Sequence, residues 1–310
     1  VVADTLSATA AGAVDLDTVV NTASATTSAA GTITLDNTGA LTVTNVTSND
    51  GTVDISAGGT LTVQRLVAGD VGASGDDDVL LDTTAGDISV GTITSADDIT
   101  INAAGAITDA AGVVTGDLLT MDAGGAIGAA GTPLTTAVAT IDAETSAAGA
   151  IVIDEFDGVV LQDVDTADGD ITVSAGGGIV ITTIDGDDDT VNLTSGGTIT
   201  DNDDTVTDIT AGTANLVAET GVGGPADPLD LIVTNISAHT TAGVVNLANA
   251  PTAAAQIDGL STGDASDITY AQSALGLTVA GDISSAGGNV LIDSPAGLAI
   301  NADVGTIESG

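Results

Sequence analysis

Short stretches in which apolar and polar residues alternate recur along the chain, and each leads into a pair of small residues that includes glycine. The repeated phrase reads apolar, polar, apolar, polar and small, followed by Ala-Gly or Gly-Gly. Its copies begin at Val53, Val79, Ile99, Leu119, Ala139, Ile171 and Val191, with looser matches at Val79 and Ala139. The starts at 79, 99, 119 and 139 are each 20 residues apart. A fixed period with one short strand and one glycine turn per unit is typical of stacked repeats.

The local period of two predicts short strands rather than helices, for example in Leu61-Thr62-Val63 and Ile151-Val152-Ile153. Two or three such strands in about 20 residues match one coil of a parallel β-helix, in which each strand pairs with its equivalent one coil away. We therefore predict an all-β, right-handed parallel β-helix (a β-solenoid) with coils of about 20 residues. Its handedness follows from the general preference of strand crossovers. Roughly 15 coils would make residues 1–310 a single continuous rod, a section of a longer chain or fibre.

The composition sets the kind of core that such coils can hold. Apolar residues form 43% of the chain, but aromatic residues form only 1% and Trp is absent. The core must therefore be thin and built from Val, Ile, Leu and Ala, which suit a pleated surface. The absence of Cys excludes disulfides and thiolate chemistry.

The charge of the chain is strongly negative. Asp and Glu number 44 against one basic residue, Arg65, which gives a formal net charge of −43. Such a chain repels nucleic acid and anionic membranes and collects cations, so divalent cations are expected partners. No apolar run approaches the roughly 20 residues of a membrane-spanning helix, so we expect no membrane insertion.

The ends of the chain point to further pairing. Residue 1 is Val rather than Met, and neither end carries an amphipathic cap, although open solenoid ends expose strand edges that template pairing. We therefore expect either more chain beyond each end or self-association with further copies end to end.

Two runs carry a resemblance to a known family. Residues 169–179 read GDITVSAGGGI, and Gly281-Asp282-Ile283 repeats the start of that run. Both resemble the repeats of filamentous-haemagglutinin-like proteins and related giant bacterial surface adhesins, and the resemblance extends over roughly residues 30 to 307. It implies an extracellular or cell-surface fibre, stalk or adhesin shaft that meets a host or neighbouring-cell surface. It implies no catalytic residues, and this chain lacks the Lys and Arg found along many adhesin shafts.

A candidate metal site follows from the 20-residue spacing. If residues 20 apart stack, Asp82, Asn102, Asp122 and Asp142 fall in one column, beside a second column of Leu80, Thr100, Thr120 and Thr140. Carboxylates about 4.8 Å apart repel each other, so their pKa values rise or a cation lies between them. Oxygen ligands of this kind favour Ca²⁺. The alternative is a solvated polar face whose Asp and Asn residues serve as turn formers.

Four acidic clusters are further candidate calcium loops. Asp187 and Asp189, in the third of them, are the residues that we predict as metal ligands. The clusters are Asp76–Asp78, Asp163–Asp170, Asp185–Asp189 and Asp201–Asp204. None of them matches the twelve-residue EF-hand loop or the nonapeptide calcium repeat. Exposed acidic loops explain these clusters equally well.

Two alternatives to an adhesin shaft remain. The first is a surface-layer or filament subunit that assembles head to tail, and the second is a β-helix carbohydrate-active enzyme using paired carboxylates. Sugar sites generally need aromatic platforms, and Phe156 and Tyr270 are the only aromatic residues. His239, the one histidine of the chain, is predicted to lie in an exposed turn. We therefore expect no enzyme activity.

Overall fold

The computed structural model describes residues 1–69, 77–202 and 206–300, together with the backbone of a strand at Ile307–Ser309. The chain divides into two compact units, Val1–Glu155 and Phe156–Gly310. None of the described residues is helical. Parallel strands stack into a β-solenoid of about 14 turns with coils of ~21 residues, so the predicted all-β solenoid is confirmed. The coils are slightly longer, and therefore fewer, than the sequence period predicts. A single continuous rod over both units stays a prediction.

The strands of each unit are short. In the first unit they are β1 (Thr5–Ala10), β2 (Val14–Thr18), β3 (Thr22–Thr27), β4 (Ile33–Asn37), β5 (Leu41–Ser48), β6 (Val53–Ala57), β7 (Leu61–Ala68), β8 (Val79–Thr83), β9 (Ile88–Ser95), β10 (Ile99–Ala103), β11 (Ile107–Asp109), β12 (Val114–Ala123), β13 (Leu134–Thr145) and β14 (Ile151–Glu155). In the second unit they are β15 (Val159–Thr166), β16 (Ile171–Ala175), β17 (Ile179–Ile181), β18 (Ile184–Asp185), β19 (Thr190–Ser195), β20 (Ile199–Asp201), β21 (Ile209–Ala218), β22 (Leu229–Thr240), β23 (Val245–Asn249), β24 (Ala255–Thr262), β25 (Ile268–Gln272), β26 (Leu277–Val279), β27 (Ile283–Ser285), β28 (Val290–Asp293), β29 (Leu298–Ile300) and β30 (Ile307–Ser309).

The turn formed by residues 41–57 carries three short runs of inward-facing residues. Strand β5 contains two of them, because its alternation is interrupted by the adjacent outward residues Thr44 and Asn45. Two consecutive outward side chains mark a corner, since a straight strand would turn one of them inward. Strand β6 then supplies the third run, and the chain moves on to the next turn.

The core consists of stacked aliphatic side chains. Equivalent inward positions pair directly along the ladders, as in the buried stack Val53–Val79–Ile99–Leu119. These pairings confirm the predicted repeat starts at 79, 99 and 119. The next start is wrong, because Leu119 pairs with Ile141 and not with Ala139.

Inward polar residues close the ends of many strands. Ser95, Thr166, Ser195 and Thr240 are buried, and each hydroxyl donates to the backbone carbonyl three residues further on, at 2.8–3.3 Å. A buried carbonyl without a donor would cost roughly 1–3 kcal/mol, so these hydroxyls stabilise the corners of the coil.

The glycine turns stack closely on one another. A Cβ atom placed on Gly58 would lie 1.9 Å from the carbonyl oxygen of Thr38 on the preceding turn. The same construction puts a Cβ of Gly124 2.2 Å from Ala104 O, and a Cβ of Gly196 2.3 Å from Gly176 O. At these three positions the close approach of the preceding turn leaves no room for a side chain.

Candidate functional site: an acidic face on the first unit

One outward column of the first unit is rich in carboxylates. Pairing of β2, β4, β6, β8, β10, β12 and β13 aligns Asp17, Asp36, Ser56, Asp82, Asn102, Asp122 and Glu144. We call this series the acidic column. Its members point outward because they alternate with the buried residues of the same strands.

Three of the four residues predicted to share a column do so, and Asp142 does not. Asp142 pairs with Thr120 and belongs to the neighbouring column, while Glu144 pairs with Asp122. Thr140 is likewise displaced, because it pairs with Leu118. The reason is that the turn from Leu119 to Ile141 is 22 residues long, so 20-residue spacing fails there.

Neutral donors separate several carboxylates in the acidic column. Ser56 Oγ donates to Asp36 Oδ1 at 2.5 Å, and Asn102 Nδ2 donates to Asp82 Oδ1 at 2.7 Å. Asp122 and Glu144 are exposed and directly opposite each other on neighbouring strands. Like charges in this position repel, which makes the pair a natural place for a cation to bind.

The neighbouring column adds to the negative charge. Asp54 lies two residues before Ser56 on β6. Partial burial and repulsion from Asp82 and Asp36 raise the pKa of Asp54 above its ordinary value. A bound cation would lower that pKa, since it would stabilise the charged carboxylate.

Two open grooves run beside the acidic column. One, of about 530 Å³, is lined by Asn102, Asp122 and Glu144 together with Thr83 and Ser146. The other, of about 540 Å³, is lined by Asp17, Asp36 and Ser56 and by the turn residues 57–58. Their walls offer oxygen atoms and small side chains, which suits hydrated cations better than a large apolar ligand.

A second acidic group lies at a corner of the same unit. Single carboxylate oxygens of Asp78, Asp97 and Asp98 lie within 4.8 Å of one another, and no other such group of three occurs among the described residues. Partial desolvation, followed by repulsion from Asp98 and Asp78, raises the pKa of Asp97. Asp78 belongs to the predicted loop Asp76–Asp78, of which Asp76 lies outside the described residues. None of the six predicted metal ligands belongs to this group.

The predicted loop with Asp187 and Asp189 makes hydrogen bonds both to the preceding turn and within the loop. Asp189 Oδ2 accepts the backbone N–H of Gly169 at 2.8 Å, which joins two successive turns. Asp187 has a φ of 48° and its N–H donates to Asp185 Oδ1 at 3.0 Å. The carboxylate of Asp189 therefore links two turns, whereas the hydrogen bond of Asp187 is made by its backbone N–H. In the loop Asp201–Asp204, Asp203 and Asp204 lie outside the described residues. Asp201 is not in an exposed calcium loop, because it is buried at the end of β20 beside Asp208.

Many acidic residues join successive turns through the backbone. An Asp that directly precedes the first Ile or Val of a strand accepts the N–H of the residue paired with it one turn later. This bond is made by Asp78, Asp87, Asp98, Asp170, Asp208 and Asp267, with N···O distances of 2.6–3.4 Å. Sequence reasoning missed this role, although the dipeptide Asp-Ile or Asp-Val at a strand start carries the signal.

His239 and the two aromatic residues do not line either groove beside the acidic column. His239 is in strand β22 rather than in a turn, and its Nδ1 lies 2.8 Å from Ser261 Oγ. Tyr270 is fully buried, so its ring cannot stack on a sugar. Phe156 is 79% exposed.

No helix in the described residues has the length and apolar character needed to cross a membrane.

The ladders and the acidic column define a stacked-repeat protein of the β-solenoid class. Comparison of the chain with models of protein families, with curated proteins and with solved structures gave no match.

Proposed function

We propose that this chain is a structural segment of an extracellular or cell-surface fibre, such as an adhesin shaft. The observation that supports this most directly is the linking of turn to turn in each unit. Parallel ladders join equivalent residues, and Asp carboxylates and outward hydroxyls add hydrogen bonds between the same turns. A protein built in this way presents a repetitive outer surface, and each turn is stabilised by its neighbours.

The side chains available for chemistry support the same proposal. Many carboxylates are engaged in joining turns, and Tyr270, one of two aromatic residues, is buried. A carbohydrate-active enzyme would need aromatic side chains in an open cleft beside its acid and base.

Electron microscopy and small-angle scattering of the full chain test the proposal. We expect slender unbranched particles whose length corresponds to about 4.8 Å for each turn of the chain. Round particles would contradict a shaft. Screening the same protein against a panel of polysaccharides gives an independent test, because cleavage of any of them would favour the enzyme alternative.

Divalent cations form the second part of the proposal. The acidic column and the group of Asp78, Asp97 and Asp98 place repelling carboxylates close together, and Ca²⁺ prefers such oxygen ligands. We propose that Ca²⁺ in the surroundings stabilises the fold by relieving this repulsion. Electron micrographs taken with and without a calcium chelator would show intact particles in calcium and frayed or shortened particles after chelation.

Head-to-tail assembly is a second candidate function. The ladders pair equivalent residues of successive turns in parallel, so a strand of a second copy can continue the same pattern at an unpaired edge. Sedimentation velocity over a range of concentrations would reveal end-to-end polymers, and Ser7→Pro in β1 should abolish them by blocking the ladder.

A further inference from the structure

Two carboxyl groups of the second unit are buried next to each other. Asp201 ends strand β20 and is 8% exposed, whereas Asp208 directly precedes β21 and is 0% exposed. Their side chains lie within hydrogen-bonding reach of each other. Buried carboxylates are costly unless donors or opposite charges surround them.

The hydrogen bonds of this pair leave two oxygens unmatched. Asp208 Oδ2 accepts the backbone N–H of Asp230 at 2.6 Å. Asp208 Oδ1 and Asp201 Oδ1 are buried and have no hydrogen-bond partner among the described residues. Other buried acids differ, since Asp77 Oδ1 accepts Gly51 N–H and Glu155 Oε2 accepts the Thr136 hydroxyl.

A proton on one carboxyl would satisfy both oxygens. We propose that Asp201 and Asp208 share one proton in the folded protein at neutral pH, and that this shared proton locks the start of β21 onto β20. The protonated carboxyl donates to its partner, so two facing acceptors become a donor and an acceptor and the buried charge falls by one.

The groups around the pair favour the protonated form. Asp230 on β22 contributes a negative charge as well as its N–H. Strand β17, which pairs with β20, contains only Ile179, Val180 and Ile181. Strand β18, which pairs with the start of β21, contributes Asp185 opposite Thr210. No basic side chain lies on these strands apart from the exposed His239 at the far end of β22.

Burial acts in the same direction. Desolvation, with a smaller contribution from Asp201, raises the pKa of Asp208 to about 8, although the N–H of Asp230 opposes the rise. The ordinary value is 3.8, so between about pH 4 and pH 8 the folded protein keeps a proton that the unfolded chain has released. The stability that this proton confers is complete below pH 4 and falls as the pH rises. The folding equilibrium constant should lose a factor of about ten per pH unit in that window, and the contribution is gone above pH 8.

Infrared spectroscopy of the full chain at pH 7 in chelator tests the shared proton directly. At this pH nearly all of the 44 acidic side chains are ionised, so the absorption of a protonated carboxyl stands out. We expect this band in the wild type and in Asp163→Asn, an exposed control in the same unit, and its loss in Asp208→Asn. In Asp201→Asn the band should shift, because Asp208 stays buried but no longer shares its proton with a carboxylate. A spectrum of the wild type without the band overturns the proposal, and this measurement needs no variant to fold.

Hydrogen exchange of the amides in β21 gives the second readout. In the wild type and in Asp163→Asn, protection of Ile209–Ala218 should weaken from pH 5 to pH 8 after correction for the intrinsic exchange rate. Asp208→Asn keeps a neutral donor beside Asp201, so the pH-dependent loss of protection should be at least tenfold smaller in this variant. The same pH dependence in Asp208→Asn and Asp163→Asn would overturn the proposal.

Discussion

The hydroxyl of Tyr270 lies 2.9 Å from the side-chain amide of Asn249 on the preceding turn. Tyr270 pairs with Leu247 in the ladder, and Asn249 lies two residues after Leu247 on the same strand. The same hydroxyl donates to Gln272 Oε1 at 3.0 Å, and Gln272 Nε2 donates to the carbonyls of residues 274–276. The side chain of Asn249 also makes two hydrogen bonds with the backbone of Val233. Its Oδ1 accepts the Val233 N–H, and its Nδ2 donates to the Val233 carbonyl. A buried polar network therefore fixes one corner of the second unit.

We expect Tyr270→Phe to destabilise the protein by about 1–3 kcal/mol, because Gln272 Oε1 would lose its donor in a buried site. Denaturant unfolding measures the change. Phe156→Ala, which truncates an exposed ring, should change stability by no more than about 0.5 kcal/mol. Equal effects of the two substitutions would show that the network adds nothing.

Gly58→Ala should destabilise the first unit by about 1–3 kcal/mol, because the new Cβ would meet the carbonyl oxygen of Thr38 at 1.9 Å. Gly39→Ala is the matched control in the preceding turn, since a Cβ there has no neighbour within 4 Å. Thermal unfolding of both variants should separate them clearly. A shift as small in Gly58→Ala as in Gly39→Ala would mean that the turns can move apart.

The bond from Thr190 N–H to Asp170 Oδ1, 3.0 Å long, predicts different effects for two substitutions of Asp170. Asp170→Asn keeps an acceptor oxygen, whereas Asp170→Ala leaves the N–H without it and should cost about 1 kcal/mol. Hydrogen exchange at the Thr190 amide is the appropriate measurement. Faster exchange in the alanine variant alone would show that the acceptor oxygen protects the Thr190 amide. Faster exchange in both variants would show that the negative charge of Asp170 is needed.

Calcium should raise the unfolding temperature of the wild type more than magnesium or sodium chloride at equal ionic strength. In chelator, Asp97→Asn should be more stable than the wild type, because the raised pKa of Asp97 reflects repulsion and desolvation that the amide removes. In calcium this advantage should shrink or reverse. An unfolding temperature that depends only on ionic strength would argue against specific binding.

The repeat near 20 residues was enough to predict the fold, because each inward aliphatic position pairs with its equivalent along the ladder. It could not place Asp142. The extra two residues between Leu119 and Ile141 leave the alternation unchanged, so Ala139 and Ile141 both fit an inward position. Only pairing across the sheet distinguishes the two registers.

The sequence also did not predict which polar residues are buried. Asp201 and Asp208 occur among other acidic residues, and such a run usually indicates an exposed loop. Tyr270 lies in a stretch with weak alternation, yet it occupies an inward position of β25. Burial of these groups depends on neighbouring turns, so no local pattern reveals it.

The hydrogen bonds accepted by aspartates directly before a strand affect how the length of such a chain can evolve. Each bond reaches only the adjacent turn, and each glycine turn has to fit only the one before it. A whole turn of ~21 residues can therefore be gained or lost by recombination between repeats, with two new junctions to satisfy when a turn is gained and one when it is lost. The length of the molecule is thus free to vary while its cross-section is kept.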